Sequence, residues 1–301
     1  MNYAILDIGS NTIKMTIFSQ DGAILHKHST AAGLISYVKD GVMSQAGIDL
    51  LASVILRYDG IAKQKDAATL YPFATASLRA ATNCPDVIEQ IKQKTGYTID
   101  LVSGEEEAAL SYYGATKSLD TQNEPIILLD MGGGSCEIVC PDQDIAVSLP
   151  VGALAMYVAF VKNILPTKEE LARVYKHTKE LTEETVTSNV NGKVCAVGGS
   201  LRAFCRYHAH VYQKSFSEDT SYVITRNEIV SLLTNITEME NETKLTLIRL
   251  LPERTHTFAT ALSSLLAILD TLQKDSITVV SGGAREGYFV KIKQKTQGDS
   301  Q

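Results

Sequence analysis

The sequence has 301 residues, 45% apolar and 21% charged, a globular composition that excludes a disordered, collagenous or low-complexity chain. A net charge of −6 without a basic block argues against a nucleic-acid partner. Five cysteines with no CxxC pair point to reduced thiols in a cytoplasmic protein, no run of about 18 apolar residues is present to span a membrane, and the length suits two domains.

Met1-Asn2 leads directly into the apolar run Tyr3-Ala4-Ile5-Leu6 with no basic n-region or cleavage site, so no signal peptide is expected. This first strand ends in Asp7-Ile8-Gly9-Ser10-Asn11. Beyond it Ile13, Met15 and Ile17 alternate with Thr12, Lys14 and Thr16, the period of a second strand. The glycine loop therefore turns a hairpin, whereas a P-loop or dinucleotide-binding loop runs from strand into helix. Helices are expected over 46–66 and 84–95, with a strand at Leu70–Thr75 ending in a helix. The strand-like Thr98–Val102 precedes Ser103-Gly104-Glu105-Glu106-Glu107-Ala108, which opens a helix over 105–117. Acids in a first helical turn are favoured by the macrodipole and explain themselves. The functional alternative is that one of the three takes a proton from a water attacking a phosphate.

Lys117–Pro125 is polar, ends in proline and reads as a linker, giving domains at 1–122 and 123–301. The opening pattern then returns: Ile126-Ile127-Leu128-Leu129, the loop Asp130-Met131-Gly132-Gly133-Gly134-Ser135, and Cys136, Ile138 and Cys140 alternating with Glu137 and Val139. Asp7 and Asp130 lie 123 positions apart, and Ser77-Leu78-Arg79-Ala80 recurs at the same offset as Ser200-Leu201-Arg202-Ala203. A duplicated α/β domain follows, each copy a sheet flanked by helices. Helices are expected over 167–187, opened by the capping box Thr167-Lys168-Glu169-Glu170, and over 227–239 and 258–273. Strands at Val194–Val197 and Ile277–Val280 run through glycines into helices, and the polar tail from Lys291 is expected to fray.

Turns rich in Gly, Ser and Asn expose successive backbone N–H groups, a nest for phosphate oxygens. The candidates are Gly9, Ser10 and Asn11 in the first copy and Gly132, Gly133, Gly134 and Ser135 in the second. An aspartate ahead of such a turn makes sense if a hard cation such as Mg²⁺ sits between carboxylate and phosphate. A plain Asx-Gly turn is the alternative, and the duplication counts against it. Lys14 and Glu137 share the 123-residue offset, so one copy offers a cation where the other offers a carboxylate. Arg79, Arg202 and Arg285 each follow a strand end, where α/β proteins place ligands. Their forks suit phosphate, and pairing with nearby acids is the alternative. Cys205-x2-His208-x-His210 has metal-like spacing but no partner cluster, and GxSxG is absent.

Taken together these residues resemble the exopolyphosphatase and guanosine pentaphosphatase (Ppx/GppA) family. The resembling stretches are Asp7–Lys14, Ala74–Arg79, Ser103–Ala108, Asp130–Glu137, Gly198-Gly199-Ser200 and Ser281–Gly287, in the family's order. The resemblance implies the actin-like (sugar kinase/Hsp70/actin) fold, two duplicated ribonuclease-H-like domains around a cleft. It implies Mg²⁺-dependent hydrolysis of the terminal phosphoanhydride of inorganic polyphosphate, releasing orthophosphate, or of the same bond in guanosine pentaphosphate. The family's general base, just before the alanine of Gly-x-Glu-Glu-Ala, falls on Glu107. Its phosphate and metal residues in the second loop fall on Asp130, Gly132 and Glu137. In the mechanism expected from these residues Asp7 is a further metal ligand, and Arg79, Lys14 and Arg285 add electrostatic support. A homodimer is implied as well.

Three positions depart from the family's pattern: Ser77 for alanine, Ser200 for threonine, and His256 for the acid of a Pro-x-Arg-Ala-Asp stretch. The sequence also stops where long members continue into a domain resembling the HD phosphohydrolases, so a short form acting on short polyphosphates is expected. Rival readings are an ATP-dependent kinase of the same superfold, which needs an adenosine pocket and a catalytic aspartate, and a non-catalytic sensor of polyphosphate or nucleotide.

Overall fold

Strand β1 (Asn2–Ile8) is apolar at nearly every position, and the computed structural model shows both of its faces covered. The structure describes residues 2–117, 119, 124–186, 190–218, 220–238 and 241–298, and of 77, 241–243 and 297–298 the backbone alone. Two compact units form: 1–114 together with 284–301, and 115–283.

In the first unit β1 pairs antiparallel with β2 (Thr12–Phe18), which pairs with β3 (Ile24–Ala31). On its other side β1 runs parallel to β6 (Ala67–Ala74), and β6 to β7 (Asp100–Leu101), giving the order β3-β2-β1-β6-β7. The small hairpin β4 (Val38–Lys39) and β5 (Val42–Met43) stands apart from this sheet. One face buries Ala4, Leu6 and Ile8 against α1 (Gln45–Gln64) and α3 (Cys84–Thr95), through Leu51, Ile55, Val87 and Ile91. The short α2 (Ala76–Arg79) follows β6, and α4 (Gly104–Thr116) follows β7.

The opposite face of β1 buries Tyr3 and Ile5 against a helix from the far end of the chain, α11 (Ala284–Gly298). Phe289 stacks on Phe18 with centroids 4.6 Å apart, and Tyr288 on Phe73 at 4.3 Å. Burying Phe289 and Ile292 contributes about 1.5–3 kcal/mol each, so this helix has a strong hold on the first sheet. Residues 284–298 therefore side with the first unit, whereas the sequence placed all of 123–301 together, and they are helical from Lys291 to Gly298 where fraying was expected. Much of the expected linker, residues 118 and 120–123, lies outside the described residues.

The second unit repeats the plan. Strand β8 (Ile126–Met131) pairs antiparallel with β9 (Cys136–Cys140), and β9 with β10 (Ile145–Leu149). Parallel strands β11 (Lys193–Val197) and β13 (Ser276–Val279) continue the sheet, and β12 (Tyr222–Thr225) adds an antiparallel edge. The order β10-β9-β8-β11-β13 matches that of the first unit, so the duplication read from the 123-residue offset is a duplication of topology: two ribonuclease-H-like sheets. Its core gathers Leu129, Met131 and Ile138 with side chains from α6 (Lys168–Thr185), α7 (Gly199–Val211), α8 (Arg226–Thr237) and α10 (Phe258–Thr271). The Thr167/Glu170 capping box is present, and Thr225 with Glu228 makes a second. Two helices carried no clear sequence signal. In α5 (Ala153–Phe160) the apolar residues go all the way round, and in α9 (Asn241–Leu250) Leu245, Leu247, Ile248 and Leu250 are crowded into the second half, too short a run to show a period. The five cysteines are buried and unbridged. Among the described residues no helix is long and apolar enough to cross a membrane.

A Cβ on Gly287 would stand 2.2 Å from the Leu110 carbonyl oxygen on α4. Alanine gains about 1 kcal/mol of helix propensity over glycine, but forcing a methyl into so close a backbone contact costs about 1–3 kcal/mol or more. Gly287→Ala is therefore expected to lower the unfolding free energy in a denaturant titration, and an unchanged or raised value contradicts the contact.

His208 on α7 is fully buried, its Nδ1 2.9 Å from the Tyr222 hydroxyl and its Nε2 3.4 Å from Glu228 Oε1. Burial holds this imidazole below its ordinary value of 6.5, against the pull of Glu228. Burial opposes ionisation of Glu228 too, but hydrogen bonds from Lys214 and Thr225 outweigh it and hold the carboxyl at about 2. For both groups the unfolded chain binds protons first, so stability is lost as pH falls below 6.5, and again between 4.5 and about 2. The melting temperature of the wild type should drop on acidification below 6.5, with a shallower slope in His208→Gln. Equal slopes would remove His208 from the account.

Candidate active site

The first hairpin turns at Gly9, where a Cβ would lie 2.9 Å from the Thr12 carbonyl oxygen, so only glycine closes this turn without displacement. The segment after β3 braces it from beneath. Asn11 O accepts from the N–H groups of Ala32 (2.9 Å) and Gly33 (2.8 Å), and Ser10 O from that of Ile35 (3.1 Å). In a trans peptide the N–H points opposite to the C=O. With the carbonyls of Ser10 and Asn11 held by this brace, the N–H groups of Asn11 and Thr12 face the other way.

The second loop is built on the same device, with a helix as the brace. The N–H groups at the start of α5 lack partners within their own helix. Ala153 N–H donates to Gly132 O (3.1 Å), those of Leu154 and Ala155 to Gly133 O (both 2.9 Å), and Gly152 N–H to Gly134 O (3.3 Å). Gly132 N–H closes the turn on Ser135 O at 2.9 Å. The N–H groups of Gly133, Gly134 and Ser135 consequently point away from α5, three successive donors of the kind that holds phosphate oxygens. The fit is tight: a Cβ on Gly152 would stand 2.4–2.6 Å from backbone atoms of Gly133, Gly134 and Ser135. Sequence reading missed Gly152 and the 32–35 brace. The available signal was a glycine just before a non-periodic apolar run.

Hairpin register explains the Lys14/Glu137 offset. Asp7 is paired with Lys14 across β1 and β2, and Asp130 with Glu137 across β8 and β9. Residues opposite one another in an antiparallel pair share a face, with Cβ atoms about 4.5–5.5 Å apart. The second hairpin thus sets two carboxylates side by side. Glu137 is 1% exposed, and Ser148 Oγ donates to its Oε1 at 2.7 Å. Two hard anionic oxygen donors beside a phosphate nest fit a divalent cation such as Mg²⁺, which takes one or two carboxylates and completes its shell with phosphate oxygens and water. Among the described residues no three His, Cys, Asp or Glu side chains converge to hold a metal by themselves. Burial, with Glu137 and Asp130 adding, pushes the neighbouring Cys136 thiol well up, so it is an inert neighbour.

Asp7 has different company. Besides Lys14, the Arg285 Nε stands 3.9 Å from its Oδ2, while Arg285 Nη1 donates to Thr16 Oγ1 at 3.2 Å. Two cations beside Asp7 make it a weaker metal ligand than the Asp130/Glu137 pair, and they place positive charge at the first loop instead.

The three glutamates of α4 are sorted by their surroundings. Glu105 is exposed. Glu106 donates its N–H to the capping Ser103 Oγ (3.1 Å), and its side chain meets Lys291 Nζ at 2.6 Å. Glu107 is 9% exposed, its Oε2 accepting from Arg79 Nη1 at 3.0 Å. Arg79, at the end of α2, also donates Nη1 to Val102 O at 3.0 Å, so the guanidinium is fixed before it orients the carboxylate.

Other sequence candidates have structural employment. Arg202 donates to Glu218 O (2.6 Å) and Val280 O (3.1 Å), the pairing alternative. His208 and Cys205 are buried while His210 is exposed, so that trio does not converge. Burial, with Arg254 adding, holds His256 below its ordinary value, and its ring packs edge-on to Tyr157 at 5.0 Å. Arg254 Nη1 donates to Ser200 Oγ at 3.2 Å.

The model of the Ppx/GppA phosphatase family matches residues 6–296. Exopolyphosphatase 1 of Mycobacterium tuberculosis is 31% identical over 62% of this chain and 57% of its own. The guanosine-5'-triphosphate,3'-diphosphate pyrophosphatase of Vibrio parahaemolyticus is 27% identical over 96% of this chain and 59% of its own. The chain thus spans under two thirds of the length of these relatives. The Aquifex aeolicus Ppx/GppA family member superposes with a TM-score of 0.78 at 22% identity over 98% of both chains. An exopolyphosphatase from Cytophaga hutchinsonii gives 0.84 at 16% identity, again over 98% of both. At these identities the structures establish the shared fold.

Gly152→Ala tests the loop brace. The methyl has to push the Gly133–Ser135 backbone aside, and a misplacement near 1 Å costs about 100-fold in rate where donors must be positioned. Loss of phosphate release of that order in a variant that still unfolds cooperatively is expected. Wild-type turnover would show that the loop does not hold substrate.

Proposed function

This chain belongs to the Ppx/GppA phosphatase family, and from that membership we propose that it is an exopolyphosphatase: it hydrolyses the terminal phosphoanhydride of inorganic polyphosphate and releases orthophosphate. The observation that carries the reading is Glu107, buried and oriented by Arg79 at the start of α4, in a chain that also carries two braced donor loops.

Glu107 takes the proton of a water whose oxygen forms the new bond to the terminal phosphorus. The bridging P–O bond breaks, orthophosphate leaves, and the shortened chain departs with the bond's electron pair on its oxygen. Arg79 holds the Glu107 carboxylate through Oε2 while its own place is set by Val102 O. The N–H groups of Asn11 and Thr12, and of Gly133, Gly134 and Ser135, bind phosphate oxygens with Gly9, Ser10 and Gly132 shaping the turns. Lys14 and Arg285 add positive charge in fixed positions, where no reorganisation is needed as charge develops. Asp130 and Glu137 would hold Mg²⁺, which neutralises charge on the phosphate oxygens and the leaving group. The buried, unbridged thiols suit a reducing compartment, and we place the enzyme in the cytoplasm.

A second reading keeps the chemistry and changes the substrate to the 5'-terminal phosphoanhydride of guanosine pentaphosphate. It is favoured by the Vibrio pyrophosphatase, which matches 96% of this chain. Orthophosphate release measured with Mg²⁺ on short polyphosphate and on guanosine pentaphosphate in parallel separates the two. Glu107→Gln is expected to lower that release by at least about 100-fold, the range for loss of a general base, while the protein remains folded. Near-wild-type release by the variant would reject Glu107 as the base. No release by the wild type from either substrate would favour a sensor.

A further inference from the structure

Helix α11 touches the reaction machinery of the first unit at three heights. Arg285, in its first turn, reaches the β1–β2 hairpin at Asp7 and Thr16. Two residues on, Gly287 lets the helix rest on the Leu110 carbonyl of α4. A further turn on, Lys291 Nζ donates to Glu106 Oε1 at 2.6 Å and to Asp100 Oδ2 at 3.0 Å. Tyr288 completes the group: its hydroxyl donates to the same Asp100 oxygen at 2.9 Å, and its ring lies beneath Lys291 Nζ at 5.3 Å from the centroid. Phe73 stacks on Tyr288 and fixes the ring in turn.

We propose that Lys291 is a positioning residue for the general base, acting through Glu106 to fix the rotation of α4 about its own axis. The inference rests on Glu107 being the base. Consecutive helical residues project about 100° apart. Glu106 is held by Lys291 and Glu107 by Arg79, so α4 is gripped at two neighbouring directions in its first turn, and a roll that moves one carboxylate strains the other contact. Gly287 sets the distance between the two helices and Lys291 sets the rotation. Burial opposes the charge on Lys291, but Glu106 and Asp100 outweigh it and hold the ammonium above its ordinary pKa, so it stays charged. Lys291, Glu106 and Asp100 are each 38–43% exposed. Ion pairs so open to water add little to global stability. What such a contact governs is placement, and that separates this role from a structural one.

The test compares Lys291→Met, Lys291→Arg and Glu106→Gln in the full chain, with Lys291→Met repeated in a Glu107→Gln background. Orthophosphate release is followed with Mg²⁺ on both short polyphosphate and guanosine pentaphosphate, alongside the melting temperature. Lys291→Met and Glu106→Gln are each expected to lower kcat about tenfold through misplacement of the base. KM and melting temperature should stay near wild type, Lys291→Arg should recover most of the rate, and Lys291→Met should cost nothing further once Glu107 is gone. The proposal is overturned by wild-type kcat in Lys291→Met, by a loss that follows KM or melting temperature, or by a further loss in the Glu107→Gln background. If Glu107→Gln itself turns over normally, the base assignment fails first and this inference with it.

Discussion

The second face of β1 has to be covered, and the helix that covers it comes from the other end of the chain. Tyr3 and Ile5 would otherwise stand in water on a strand whose opposite face already carries a core. The aromatic stacks of Tyr288 and Phe289 meet this requirement, and because a helix is rigid, meeting it fixes everything else that α11 carries. Arg285 arrives at Asp7, Gly287 meets Leu110, and Lys291 meets Glu106. Hydrophobic burial supplies the energy here, and the polar contacts inherit their precision from it.

The two glycine loops answer a second constraint, the need to satisfy peptide carbonyls beneath a turn while its N–H groups face the other way. In both units the segment following the third strand provides the donors: residues 32–35 in the first, the start of α5 in the second. The duplicated frame then diverges at one position in the register. Lys14 opposite Asp7 gives a hairpin of mixed charge, while Glu137 opposite Asp130 gives two adjacent carboxylates. Like charges so placed repel unless a cation lies near, whereas Asp7 already has Lys14 and Arg285 beside it. One position in a common scaffold thus separates a hairpin of mixed charge from one with two adjacent carboxylates.

Burial and partners also decide among residues of one type. Three consecutive glutamates open α4, and all three suit a helix N-terminus. Only Glu107 is both buried and held by an arginine, because helical rotation turns it towards Arg79 while Glu106 faces α11 and Glu105 faces water. The repeated Ser-Leu-Arg-Ala motif behaves likewise. Arg79 meets the carboxylate of Glu107, while Arg202 spends its donors on Glu218 and Val280.

Several features were legible because they rest on local rules. The hairpins showed as period-two alternation on either side of a glycine loop, the α6 start as a capping box, and the duplication as a constant offset. The expected helices 84–95 and 258–273 lie within about two residues of α3 and α10, since their apolar spacing is strong. Helix α5 was not legible, because a helix apolar on every side has no period. Gly152 was missed with it, because its role depends on a loop some 18 residues earlier in the chain. The sequence by itself determined the element types, the duplicated plan and the candidate residues, all set by neighbours within a few positions. Only the tertiary structure decided which glutamate is buried, which arginine it meets, and which unit the last helix joins. Those outcomes depend on contacts between residues as far apart as Thr16 and Arg285, which no local pattern encodes.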